Sequence, residues 1–436
     1  MRTVLSIAAV AAVSLAVAPA PAPAPAPAPH YERLFTLKPK EGVFAYARIS
    51  PDGKRLAYAS QIGARPTAQR NWTVTAVDLP TQKILFSESG IDAYWSNDGA
   101  RLIYSGNNGV TVRNVATNTV NTYPEAGGLG DYYSWAVRDG KDLIMTIQSN
   151  YYYLTKDGPV LPHTKVTKCD RIGTGERPLI SHDGRHISTF VKGILVVRAL
   201  ENCDDILDTH IQGSKADFSW DGRYIAFHAV KREGTGYEIR IVDLEQRTVR
   251  TLPSLQGSAL FPSWTRDGRL CFRYDGPEYR GFMLASDVLS VPAEPLPTVT
   301  EALPDERTWE EIFPETPVGK GLRLVMIWAP WSAHSLDAFM NLQEARDHFA
   351  ARGLQVDILA AADPGSRETD ITSQLDEFHV TIPRIPLSQK SLARTEARNQ
   401  MPSTLLFRDG VLIDRRLGAQ SFEQLREWIS SAAGSK

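Results

Sequence analysis

Residues 49–60 read ISPDGKRLAYAS, and the fold turns on this short text because it returns five more times. The other copies are YWSNDGARLIYSG (94–106), SWAVRDGKDLIMTI (134–147), LISHDGRHISTFV (179–191), DFSWDGRYIAFHA (217–229) and PSWTRDGRLCFRY (262–274). Each places Asp-Gly between two β-rich runs. Glycine adopts positive φ freely and the aspartate carboxylate accepts backbone N–H groups inside the turn, so each copy predicts a tight hairpin. The six aspartates, Asp52, Asp98, Asp139, Asp183, Asp221 and Asp267, lie 46, 41, 44, 38 and 46 residues apart, which is the spacing of four-stranded repeat units. Asp157-Gly158 and Asp275-Gly276 fall outside the series. The six carboxylates read as turn acceptors rather than catalytic acids, because they recur wherever the turn recurs.

A single four-stranded unit cannot bury both faces of its sheet, so stacking about an axis is expected. The copies resemble the TolB-like, WD40-like propeller repeat, an aromatic followed by Ser-Pro-Asp-Gly and a strand, over about residues 31–295. The resemblance implies a six-bladed β-propeller closed by a strand near 31–37, with the third and fourth copies departing most by lacking proline before Asp. Tyr132, Tyr133, Trp135, Tyr151, Tyr152 and Tyr153 form an aromatic cluster that either packs within the third blade or lines a rim for a partner. No Gly-x-Ser-x-Gly elbow is present, so a prolyl-oligopeptidase type of chemistry lacks its nucleophile.

Beyond residue 295 the text changes. Residues 296–316 are rich in Pro and Glu and read as a linker, and from 317 to 436 strands alternate with helices. An apolar strand at 322–328 precedes a helix over 332–352 that Gly353 ends, and a strand follows at 354–360. A helix at 371–378, a hairpin of 403–407 with 411–416, and a closing helix at 421–431 complete the order. VMIWAPWSAHS (325–335) and Met401-Pro402-Ser403-Thr404 resemble the active-site and cis-proline segments of the thioredoxin fold, closest in kind to TlpA-like and peroxide-reductase-like exported proteins. The fold class expected is therefore an all-β propeller followed by an α/β thioredoxin-like domain.

The departure from that family is chemical. Where it carries Cys-x-x-Cys, this chain has Ser332 and Ser335. A thiolate stabilised at a helix N-terminus attacks a disulfide and is then displaced by the second thiol; a hydroxyl performs neither step. No catalytic residue and no cofactor is expected. His334 cannot readily serve Ser332 as base, because residues two apart on a helix do not face each other. Ser332 reads as a helix N-cap. The resemblance implies that Trp331, Ser332, His334, Ser335, Met401 and Pro402 keep the groove in which the family receives extended peptide. His182 and His186 flank one turn, but two histidines are a weak ligand set and no metal site is expected.

Three cysteines remain. Cys169 and Cys203 lie in polar text and are expected to pair if the chain is exported, while Cys271 sits in a strand and is expected to be a buried thiol. Residues 1–18 have the short basic start and apolar run of a secretory signal, with an uncleaved anchor as the alternative, and the Ala-Pro tract that opens residues 19–30 reads as an extended spacer. At 436 residues, 42% hydrophobic and 22% charged, the chain has the composition of a folded protein. Lys and Arg number 48 against 50 Asp and Glu, for a net charge of −2, which offers no basic footprint for nucleic acid. The expected protein is exported, periplasmic or extracellular, and binds a protein or peptide without catalysis. It meets a membrane only through its N-terminal segment if that stays on. The alternatives are a thiol-disulfide or peroxide-handling oxidoreductase and a propeller accessory subunit of an envelope complex.

Overall fold

A computed structural model describes residues 28–37, 43–61, 72–106, 109–123, 133–138, 140–146, 151–155, 158–160, 176–191, 193–231, 236–253, 255–298, 308–393, 395 and 401–434. The first two thirds form a ring of antiparallel sheets, like a propeller. Their leading strands are Val43–Ile49, Ile91–Trp95, Tyr133–Arg138, Glu176–Ile180, Ser214–Phe218 and Ser258–Trp264. Each of these leads an up-and-down sheet and touches the leading strand of the next, and Ser258–Trp264 returns to Val43–Ile49. The ring is closed by His30–Thr36, which pairs antiparallel with Arg280–Ser286 in the last sheet, His30 opposite Ser286. First and last segments of the ring thus share one sheet, which removes a free seam.

The Asp-Gly turns are built as their chemistry requires. Ser50 Oγ donates to Asp52 (2.5 Å) and accepts the N–H of Arg55 (2.9 Å), while the Asp52 carboxylate accepts the N–H of Lys54 (3.0 Å). The same pattern joins Ser96 to Asp98, Ser181 to Asp183, Ser219 to Asp221 and Thr265 to Asp267. These carboxylates serve the turns, as the repetition implies; Asp139 lies outside the described residues. Gly222 shows why glycine follows: its φ is +72°, and a Cβ there would stand 3.0 Å from the carboxylate of Asp183 in the neighbouring sheet. A feature the repeats do not announce is an irregularity in the leading strands. The register slips between Ile91 and Tyr94, Ser214 and Asp217, and Leu260 and Ser263, with Asp92, Lys215 and Phe261 at φ of 57°, 56° and 54°.

The last third holds a mixed five-stranded sheet. Arg384–Ile385, Val356–Ala362 and Leu322–Trp328 run parallel, and Ser403–Arg408 and Val411–Leu417 follow antiparallel. Around it lie α1 (Trp309–Ile312), α2 (Ala333–Ala350), α3 (Glu368–Glu377), α4 (Gln389–Ala393) and α5 (Phe422–Gly434). The expected elements appear with their ends shifted by a few residues, and α1, α4 and the short strand Arg384–Ile385 are additional. The expected linker contains packed structure from Thr308 onward. Trp309 is fully buried against Phe313 and Phe407, and its indole donates to the carbonyl of Thr316 (2.8 Å). One buried apolar cluster runs without a break from Trp72, Ile91, Tyr237 and Phe261 of the ring to Trp328, Trp331 and Phe339 of the mixed-sheet unit.

Candidate functional site

The two segments singled out in the last third meet. Leu322–Trp328 delivers Ala329 to Ser332 to the N-terminus of α2, and the loop before Ser403–Arg408 brings in Met401-Pro402, whose peptide bond is cis. Ser332 Oγ donates to the carbonyl oxygen of Met401 (2.5 Å) instead of capping α2, whose N-cap has no side-chain hydrogen bond. Ser332 thus stands at the expected N-cap position of α2, but its hydroxyl bonds the facing loop and makes no capping hydrogen bond. Ser335 Oγ accepts the N–H of Ala329 (3.3 Å). Trp331, Ser332 and Ser335 are 6%, 5% and 0% exposed, and Met401 and Pro402 are buried as well. His334 lies in α2, with its side chain outside the described residues.

What covers this face is the ring itself. The Trp331 indole enters a nest of three aromatic rings at 5.8 Å from His228, 5.1 Å from Tyr237 and 6.1 Å from Phe261, all edge-on. Its N–H donates to Asp363 (3.0 Å), which also accepts the Gly365 amide and the Ser366 hydroxyl. Burial drives the Asp363 carboxyl above its ordinary range, against the pull of those donors. Beside the nest, Arg280 of the ring pairs with Asp370 of α3 at 3.2 Å, both largely buried. Gly365 and Gly236 approach so closely that a Cβ on Gly365 would lie 2.8 Å from the Gly236 Cα.

A second cluster lies where the leading strands converge, on the side of the Asp-Gly turns. Asp217, 2% exposed, accepts the Tyr94 hydroxyl (2.7 Å) and the Trp264 amide (2.9 Å), and meets the Arg48 guanidinium at 3.3 Å. Four sheets are joined through that one carboxylate. Arg48 sits 4.8 Å over the Tyr94 ring, Tyr94 is 6.1 Å from His182, His182 stacks on Trp220 at 3.6 Å, and Arg266 lies 5.2 Å over Trp220. Arg48, Tyr94, Asp217 and Ser263 all stand four residues before a turn aspartate. A charged residue at that strand position was the available signal, and turn-based reading passes over it.

His182 is 3% exposed and neither ring nitrogen has a hydrogen-bond partner among the described residues. Burial pushes its pKa down from 6.5 to about 4. The folded state thus resists a proton the unfolded chain accepts, so the neutral ring's contribution is whole above pH 6.5 and fades as the pH falls towards 4. The loss amounts to about 3 kcal/mol. Urea unfolding of wild type and His182→Phe between pH 7 and pH 4 checks this, and the variant is expected to lose less stability over that window.

Other expected residues are placed as follows. Trp135 is fully buried, with its indole donating to Asp142 of its own sheet (2.9 Å) under the guanidinium of Arg101 from the neighbouring sheet, and packs in a cluster with Ile103 and Leu179. Tyr132 lies outside the described residues, as do the side chains of Tyr133, Tyr151, Tyr152 and Tyr153. His186 stacks on Phe218, and among the described residues no group of three or more His, Cys, Asp or Glu is placed to hold a metal. Cys203 is disulfide-bonded and Cys271 is a free, buried thiol whose pKa burial raises; Cys169 lies outside the described residues. So do residues 1–27, with the apolar leader and most of the Ala-Pro tract, and among the described residues no helix is long and apolar enough to cross a membrane.

No family model and no curated protein matches the chain. Among solved structures, hydrazine synthase of Kuenenia stuttgartiensis is 15% identical, covering 54% of this chain and 78% of that one with a TM-score of 0.33. TolB of Acinetobacter baumannii, a propeller, is 17% identical over 54% of this chain and 65% of its own, at a TM-score of 0.31. StoA of Bacillus subtilis, thioredoxin-like, is 18% identical over 26% of this chain and 84% of its own, at 0.23. Likenesses at this level carry no residue roles to this chain.

Proposed function

We propose that this chain is an exported, non-catalytic binding or scaffold protein. In this reading a six-bladed propeller carries a thioredoxin-like domain that has exchanged its redox pair for structure. The ring of leading strands and its closure through His30–Thr36 support the blade count. The order of the mixed sheet and the cis-proline facing the α2 tip support the second domain. A disulfide at Cys203 and the apolar leader support export, and with it a Cys169–Cys203 bridge.

The observation that carries the reading is the employment of both serines. Ser332 is spent on the Met401 carbonyl and Ser335 on the Ala329 amide, in a site walled from solvent. Neither is set up as a nucleophile, which needs a base within hydrogen-bond reach. The free thiol of Cys271 is buried in the ring and electronically unsuited to attack, because burial favours its protonated form.

Insulin reduction and peroxide consumption by the purified chain are expected to match a Ser332→Ala control. Ser332→Cys/Ser335→Cys is expected to remain at that background in the full-length protein, since the restored sulfurs would sit behind the ring. Turnover by the wild type, lost on Ser332→Ala, would overturn the reading. Affinity capture from the exported fraction, with mass-spectrometric identification, tests the binding role.

A further inference from the structure

The face that would accept an extended polypeptide has two requirements, an exposed surface beside the cis-proline and a free backbone acceptor for strand-like pairing. Here both are met from within the chain. Trp331 is inserted among His228, Tyr237 and Phe261, and the Met401 carbonyl already accepts the Ser332 hydroxyl. The Arg280–Asp370 pair and the Gly236–Gly365 approach hold the ring against that face at two further places.

We infer that the propeller occupies the thioredoxin-like face as an intramolecular ligand, so that domain docking and capture of an extended polypeptide beside Met401 exclude one another. This rests on the proposed reading of the groove as a recognition surface and adds its regulation. The geometry requires competition, since one volume cannot hold both the ring's aromatic nest and a peptide. By linkage, weakening the docking strengthens capture by up to the same factor, until the site is open in most molecules, and a site open in a small fraction of molecules binds with its affinity reduced by that fraction. Docking is not a loose contact: an aromatic insertion, a largely buried ion pair and a backbone-to-backbone approach act together. The segment captured would be extended and would present its own N–H to Met401 in place of Ser332.

Two substitutions open the interface without touching Trp331, Ser332, Met401 or Pro402. Gly365→Val drives a side chain into the Gly236 backbone, and Arg280→Glu sets a carboxylate against Asp370 and Asp275. The probe is reduced, carboxymethylated α-lactalbumin, an unfolded polypeptide, titrated by fluorescence anisotropy against the full chain and both variants. Small-angle scattering reports whether the domains have parted, and circular dichroism whether each variant is folded. The expected result is an enlarged radius of gyration in both variants and binding tighter than wild type by about tenfold or more. Tight binding by the wild type, equal to that of the opened variants, overturns the exclusion. Variants that open yet, like the wild type, show no binding of the probe overturn the groove's role in recognition while leaving intramolecular docking in place. Variants that are folded and unchanged in radius overturn the claim that these contacts hold the face shut.

Discussion

Trp331→Ala is expected to lower the stability of the full chain by about 3–5 kcal/mol, the range for removing a large buried aromatic. The loss has three sources. Edge-on packing against His228, Tyr237 and Phe261 disappears, a cavity opens at the junction, and Asp363 keeps its burial but loses the indole that donated to it at 3.0 Å. Because the indole sits in an apolar cluster that spans both units, its removal is also expected to split a shared unfolding transition in two. Urea denaturation followed by far-ultraviolet circular dichroism and by tryptophan fluorescence checks both points. A midpoint that stays where it was, with the two signals still coincident, would show that the insertion does not couple the units.

The second large effect belongs to Asp217. Asp217→Ala is expected to cost about 3–5 kcal/mol, because removing one partner of a buried ion pair strands the other. The Arg48 guanidinium, the Tyr94 hydroxyl and the Trp264 amide would lose their acceptor together, and those groups come from three other sheets of the ring. Tyr94→Phe takes away one donor and leaves the carboxylate two, so about 1 kcal/mol is expected. Guanidinium denaturation of the two variants at pH 7 measures the difference. Equal losses would mean that the carboxylate is not the shared node described here.

The two candidate sites were unequally legible. In the ring, Asp-Gly between two β-rich runs announced the turns, because the turn bonds of the described copies join residues within five positions of one another. At the α2 tip, Trp331, Ser332, Met401 and Pro402 were identifiable, and so was the chemistry that two serines forgo. Their condition was not. An open groove was the natural expectation, yet the residues that close it, His228, Tyr237, Phe261 and Arg280, sit in strands where they look like ordinary ring material. Tyr94 and Asp217 are 123 positions apart and share no local pattern that foretells a bond. The register slips in the leading strands were hidden for a different reason: Asp92, Lys215 and Phe261 at positive φ are conformations that side-chain identity does not request.

What the amino-acid order determined by itself was the set of local decisions: where hairpins turn, where strands give way to helices, and which two oxygens stand in place of sulfur. These follow from short-range hydrogen bonding and side-chain chemistry, which travel with a segment wherever it is placed. The meeting of distant segments was settled only in three dimensions. Burying Trp331 in the ring, tying four sheets to Asp217 and pairing Arg280 with Asp370 depend on packing between parts of the chain far apart in sequence, because desolvation makes a contact strong or costly only after the fold has excluded water around it.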